Sequence, residues 1–482
     1  MRIRTRRNSS RLEANHNEAF IGLAVLACAG GLAGLLTLDG RRATADERVP
    51  KLLTLDNEAG QARTFNVNGA IDLNNPFFQD LGTNGRRCVS CHQPANAWTI
   101  TPANVQSRFA ATDGADPIFS NNDGSNCEGV RPGSLEEKQA AYSLLLNRGL
   151  IRVGLNVLAG AEFLIEGVAD PNQCGPATND ASLYRRPLPS SNVRFLSAIM
   201  WDGRESSSTR TIEQDLLHQA NAATRGHAEG VLDLTAGEAQ QIVAFEMGLF
   251  TAQARDRNAG NLRSQGAEGG PEPLAKQPFF IGINDPVGLN PTGAAFDPKA
   301  FTLFNSWERL KSSEAEPSTA SRGAISRGQA IFNTRPITLT GVAGLNGQTF
   351  PNGVSLPETF GVTCTTCHDT PNAGNHSVKA PLNIGLTDPA IAPYLPVYTL
   401  RNVRTQDTVE TTDPGRAMIT GKWTDIGKFK GPVLRALAAR APYFHNGSAA
   451  TLEDAIQFYE QRFNLGLTVR EKADLLVFLR AL

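Results

Sequence analysis

Several things are scarce in this sequence. Its 482 residues hold 46 Lys and Arg against 47 Asp and Glu, a net charge of −1. There is no basic excess to neutralise a phosphate backbone, so nucleic acid is not an expected partner. Only one long apolar run is present, a glycine-rich stretch from Ala19 to Leu38, and no other segment is long enough to span a bilayer. Cysteine is limited to seven residues and methionine to four. Two four-ligand zinc sites would need a second Cys/His pair close to each cysteine pair, and no such pairs are there. What remains is ordinary for a folded chain: 40% hydrophobic and 19% charged residues, ample for a core, at a length that suggests about three domains.

The N-terminus has its own pattern. Arg2, Arg4, Arg6, Arg7 and Arg11 precede the apolar run, and Ala43-Thr44-Ala45 follows it as a small-x-small cleavage site. Residues 1–45 therefore read as a secretory signal or an N-terminal membrane anchor, the only contact with a membrane that we expect. Cys28 resembles a lipoprotein processing site only loosely and reads better as a small apolar residue of the run. Export puts the protein in the periplasm. An oxidising compartment favours a Cys127–Cys174 disulfide over two separate thiols.

The four other cysteines form two copies of one pattern, Cys88-Val-Ser-Cys91-His92 and Cys364-Thr-Thr-Cys367-His368. Cys-x-x-Cys-His is the pattern for covalent haem c attachment. Two thiols one helical turn apart add across the two vinyl groups of one porphyrin, and the adjoining imidazole ligates the iron. Two covalently bound haem c groups are thus expected, with His92 and His368 as metal ligands. Around them the chain reads as mostly α, two cytochrome c-like domains with long loop insertions. The first domain covers 46–254 with an insertion at about 100–185, a connector runs 255–320, and the second domain covers 321–482. One helix is expected over Ser134 to Asn147 and another over about Thr211 to Ala223. A repeat supports the duplication. Leu234-Thr235-Ala236-Gly237-Glu238 and Leu467-Thr468-Val469-Arg470-Glu471 both carry a capping box. Each is followed by apolar residues at the same helical offsets, so each haem motif has a matching closing helix.

In combination, the two haem motifs, Trp201-Asp202-Gly203-Arg204, Asp425-Ile426-Gly427-Lys428-Phe429-Lys430 and Ala441-Pro442-Tyr443-Phe444-His445-Asn446-Gly447 resemble the bacterial dihaem cytochrome c peroxidase / MauG superfamily. The likeness covers about 74–99, 185–254 and 322–482. It implies a peroxidase-type oxidoreductase that takes hydrogen peroxide at the first haem. A small periplasmic donor such as a cytochrome c or a cupredoxin would serve it. Trp201 would relay electrons or holes between the haems. By its charge Arg204 suits a haem propionate, and His445 reads as a propionate contact or a group behind the iron ligands in preference to a ligand itself. In the peroxidases a Met fourteen residues after the matching His ligates the second iron, and in MauG a Tyr does. Here that position is Tyr459, with Met418 the competitor. The family's distal Gln and Glu stand ten residues apart, as Gln219 and Glu229 do. Gln219, however, lies eighteen residues after Trp201 instead of ten, so the match needs an insertion. His227 is an alternative acid/base group or iron ligand, and His218 a weaker one. The interdomain calcium of the peroxidases stays open, because its Asn falls at Arg186. A non-enzymatic dihaem electron carrier and a MauG-like oxidase of a protein or organic substrate are the competing readings.

Overall fold

A computed structural model describes residues 48–175, 180–310 and 317–482. The segment 1–45, with Cys28 and the cleavage-site residues, lies outside the described residues. The helices that bear on the site are α1 (Cys88–Cys91), α2 (Ile212–His227), α3 (Ala236–Gly248), α4 (Pro317–Thr334), α5 (Leu452–Phe463) and α6 (Val469–Ala481). The main strands are β1 (Leu52–Asn57), β2 (Gly60–Asn66), β3 (Ile151–Asn156), β4 (Phe163–Ala169), β5 (Asp180–Arg185), β6 (Leu249–Asp256), β7 (Val397–Asn402) and β8 (Thr408–Thr411). No described helix is long and apolar enough to cross a membrane.

The expected mostly α class is corrected by these strands: helix accounts for 32% and strand for 17%, spread over several sheets. β1, β2 and β6 run antiparallel in order, with Gly60 of β2 opposite Asp256 of β6. β8, β7 and β4 form a second sheet and β3 pairs with β5. β3, β4 and β5 come from the insertion, whose Asn, Asp, Gly and Pro content reads as loop. In β2 and β7, alternate residues are buried, a period of two that marks a half-buried strand. Long-range pairing, such as β4 from the insertion with β7 from the far half, decides their state.

The helix expected at 134–147 is broken at Tyr142 into Leu135–Ala141 and Ser143–Arg148. The Asn126 side chain accepts the N–H of Leu144 and so satisfies the donor freed at the break. α2 runs beyond Ala223 to His227. The two closing helices form as the repeat implies. In each the Thr side chain accepts the N–H of the Glu three residues on, Thr235 with Glu238 and Thr468 with Glu471. Phe245 of α3 packs on Phe77 and Phe78, with ring centroids 5.0 and 5.3 Å away. α6 crosses α4 at Gly328, where a Cβ would stand 2.0 Å from the Asp474 carbonyl oxygen, so only glycine allows this approach. Phe478 of α6 is fully buried there against Phe301 and Phe304 of the connector. Each such ring contributes about 2–3 kcal/mol of burial. Cys127 and Cys174 are bonded, with Cα atoms 5.1 Å apart, and so tie the insertion to itself.

Candidate functional site

Two cavities, of about 160 and 220 Å³, open around the two cysteine motifs. In the first, α1 presents Cys88 and Cys91, and His92 follows as its C-terminal cap. His92 Nδ1 lies 3.1 Å from the Trp98 carbonyl oxygen. A carbonyl can only accept, so Nδ1 carries the proton and Nε2 keeps its lone pair. Burial lowers the His92 pKa to about 4, which keeps the imidazole neutral. The second cavity repeats this arrangement: His368 Nδ1 donates to the Gly374 carbonyl at 2.7 Å, and burial again pushes the ring towards its neutral form. An imidazole locked through Nδ1 with Nε2 free is the form that ligates a metal. The four cysteines are free thiols. Burial holds Cys88, Cys364 and Cys367 protonated, each raised to about 12.

The cavities share a wall. Arg186, Pro187, Pro189, Trp201 and Lys430 line both. Trp201 Nε1–H donates to the Arg186 carbonyl at 2.8 Å, which fixes the indole in this wall. His445 lies with its ring centroid 6.2 Å from that of Trp201, edge-on, and stacks on Phe429 at 3.9 Å. It lines the second cavity at 1% exposure, and neither ring nitrogen has a hydrogen-bond partner among the described residues. Two orphaned nitrogens on a buried, neutral imidazole fit a cavity made for a polar-edged ligand. Lys430 Nζ donates to the Ala198 carbonyl at 2.7 Å, and burial lowers its pKa to about 7.

Tyr459 of α5 lines the second cavity, with Leu452, Ala455 and Ile456 buried along the same face. Its hydroxyl has no hydrogen-bond partner among the described residues, and burial, then the nearby Cys367 and Cys364, push the phenol pKa up. Met418 is elsewhere, 1% exposed in a cluster with Phe163, Leu183, Tyr398 and Leu400. On the first cavity, Arg204 lies against the wall and bonds Asp202 at 3.3 Å. α2 brings Gln219 and His227 to that cavity, with Ala220, Ala223 and Thr224 of the same helix face between them. Glu229 is exposed, past the helix end at φ 54°, and His218 pairs with Glu205 at 2.6 Å outside the cavity.

Sequence reasoning missed three groups. Asp123, from the insertion, bonds His227 Nδ1 and Arg86, so His227 Nε2 is the free nitrogen. Burial alone would raise the Asp123 pKa, but His227 and Arg86 hold it low. No local signal marks Asp123, because its partner is 104 residues away. Glu246 of α3 lines the first cavity, and burial raises its pKa to about 8. It sits on the buried face with Ile242, Val243 and Phe245, an acid out of place in an apolar stripe, and that mismatch was readable. Arg185 is also buried, bound to Asp413 at 2.7 and 2.9 Å and to Asp202.

Locked imidazoles, paired free thiols and orphaned polar atoms around two mainly apolar cavities define a protein built for c-type haem. No family model matches the chain. It is 32% identical over 139 residues to the cytochrome-c peroxidase IdrP1 of Denitromonas iodatirespirans, covering 25% of this chain and 36% of that protein. It is 30% identical over 125 residues to the cytochrome c551 peroxidase of Nitrosomonas europaea, covering 25% of this chain and 31% of that one. The matches span about a third of the length of these relatives. A solved MauG-like protein associated with microbial copper homeostasis aligns over 84% of this chain and 85% of its own at 18% identity, with a TM-score of 0.38. The curated relatives are cytochrome c peroxidases, in keeping with the peroxidase side of the resemblance read from the motifs.

Proposed function

We propose that this chain is an exported dihaem oxidoreductase of the cytochrome c peroxidase / MauG type, carrying one haem c in each cavity. Residues 46–254 and 321–482 form its two cytochrome c-like halves, joined by 255–320. Cys88 and Cys91 hold the first haem and Cys364 and Cys367 the second, with His92 and His368 presenting Nε2 to the irons. The observation that carries the reading is the wall common to both cavities, with the Trp201 indole fixed in it. Haem supplies a redox-active iron that can take oxidising equivalents from hydrogen peroxide.

The chain's own groups do the rest. Gln219 and His227 meet peroxide on the open side of the first cavity. His227 is held by Asp123 through Nδ1, so its Nε2 accepts a proton from one peroxide oxygen and returns it to the other. Glu229 lies outside the cavity and takes no part in this step. Arg204 and His445 bind propionates, and Trp201 couples the two cavities. With haem bound, the Tyr459 oxygen would serve as a ligand of the second iron, and such a ligand would favour the oxidised form. That choice favours a MauG-like oxidase acting on a protein or organic substrate over a plain peroxidase, because the one methionine of this half that competes, Met418, is a core residue. Electrons come from a small periplasmic cytochrome c or cupredoxin.

Mass spectrometry of the intact chain is expected to show two covalent haem increments. The resting EPR spectrum is expected to show a high-spin first haem, and hydrogen peroxide to change the absorption spectrum. Two low-spin haems that do not respond to peroxide would identify a simple electron carrier instead.

A further inference from the structure

Arg186 stands in the wall common to both cavities, yet it is 4% exposed and no Asp or Glu pairs with it among the described residues. Among the described residues its guanidinium donates hydrogen bonds only to backbone carbonyl oxygens. Nη2 donates to Ile100 at 2.7 Å, Arg440 at 3.2 Å and Ala441 at 3.5 Å. Nη1 donates to Arg148 at 3.2 Å and Gly149 at 3.4 Å. A buried charge needs compensation, and a shell of carbonyl dipoles from separate segments is what a hard cation such as calcium receives. Here the cation is tethered to the chain. The backbone around it agrees. Gly149 is in the left-handed region at φ 61°, and a Cβ there would stand 2.1 Å from Arg186 Nη1, so the cage has no room for a side chain at that point. Burial, then the charge of Arg440, lowers the Arg186 pKa to about 9, which leaves it charged at neutral pH.

The main chain of the same residue anchors the site. Its carbonyl accepts the Trp201 indole N–H at 2.8 Å, and its N–H donates to the His445 carbonyl at 2.7 Å. We propose that Arg186 is a fixed internal cation. Its guanidinium fills a cage of carbonyls where the cavities meet, ties together the three segments that supply them, and so positions Trp201 with no bound metal ion at this place. The inference does not depend on which reaction the cavities support, so its test can fail while the proposed function stands.

The experiment is hydrogen–deuterium exchange on the haem-loaded chain, for wild type, Arg186→Met and Arg186→Lys, beside melting curves with calcium chloride or a calcium chelator. Met keeps the stem without the charge, and Lys keeps the charge with fewer donors. In Arg186→Met the amides of 98–101, 147–150 and 439–446 are expected to exchange faster together, by about ten-fold or more. Arg186→Lys is expected to fall between the two, and it carries the test if the Met variant does not fold. Wild-type melting is expected to be indifferent to calcium and to chelator. Unchanged exchange in all three segments, or wild-type melting that depends on calcium, overturns the proposal.

Discussion

Asp202, the residue after the shared tryptophan, offers the most quantitative test. Its side chain has no exposure and binds Arg185 Nη1, Arg204 Nη1 and the Arg204 N–H. Burial opposes ionisation, but Arg185 and then Arg204 outweigh it, and the pKa falls from 3.8 to about 2. A carboxyl depressed in the fold stabilises it above the unfolded pKa, and that contribution disappears as the pH falls through the folded pKa. A shift of this size is worth about 2 kcal/mol at pH 7, of which about half remains at pH 3. Asp202→Asn keeps the shape and removes the charge, while Arg185 retains its two bonds to Asp413. The variant is therefore expected to lose about 2 kcal/mol at pH 7 and to approach wild type as the pH falls from 4 to 2. Denaturant unfolding of both proteins at several pH values measures the gap. A gap that stays constant down to pH 2, or that is absent at pH 7, would refute the idea that an ionised Asp202 braces the wall.

Three further outcomes follow from the same geometry. Glu246 has its pKa raised from 4.5 to about 8, so the fold binds an extra proton between those values and loses stability as pH rises through them. Glu246→Gln is expected to flatten that decline and to melt higher than wild type at pH 8, read from melting temperature against pH. Replacing Cys127 and Cys174 by Ser opens a loop of 47 residues, and a loss of about 4 kcal/mol is expected in chemical unfolding. Tyr459→Phe removes a hydroxyl from the second cavity and is expected to change the second haem's absorption and EPR signals. Met418→Leu is expected to leave those signals alone and to cost under about 1.5 kcal/mol. The opposite pattern would make Met418 the ligand.

What the sequence determined by itself is what local chemistry encodes. Cys-x-x-Cys-His fixes thiol spacing within one turn of chain, and Thr-x-x-Glu before an apolar stripe at 235–249 and at 468–482 is sufficient to start both closing helices. Tyr459 could be placed on the inner face of its helix because Leu452, Ala455 and Ile456 share its period. Tertiary structure decided β4, whose only strand partner among the described residues, β7, lies 228 to 239 residues away along their register. It also decided which of the paired candidates enter the first cavity. Helix α2 ends just after His227, so His227 turns inward while Glu229, two residues on, turns out to solvent. Asp123 reaches His227, and Arg186 its carbonyl cage, only through contacts between distant segments. Such contacts form when burial makes unpaired charge and unpaired carbonyls costly, a pressure that acts across the folded volume and leaves no pattern in neighbouring residues.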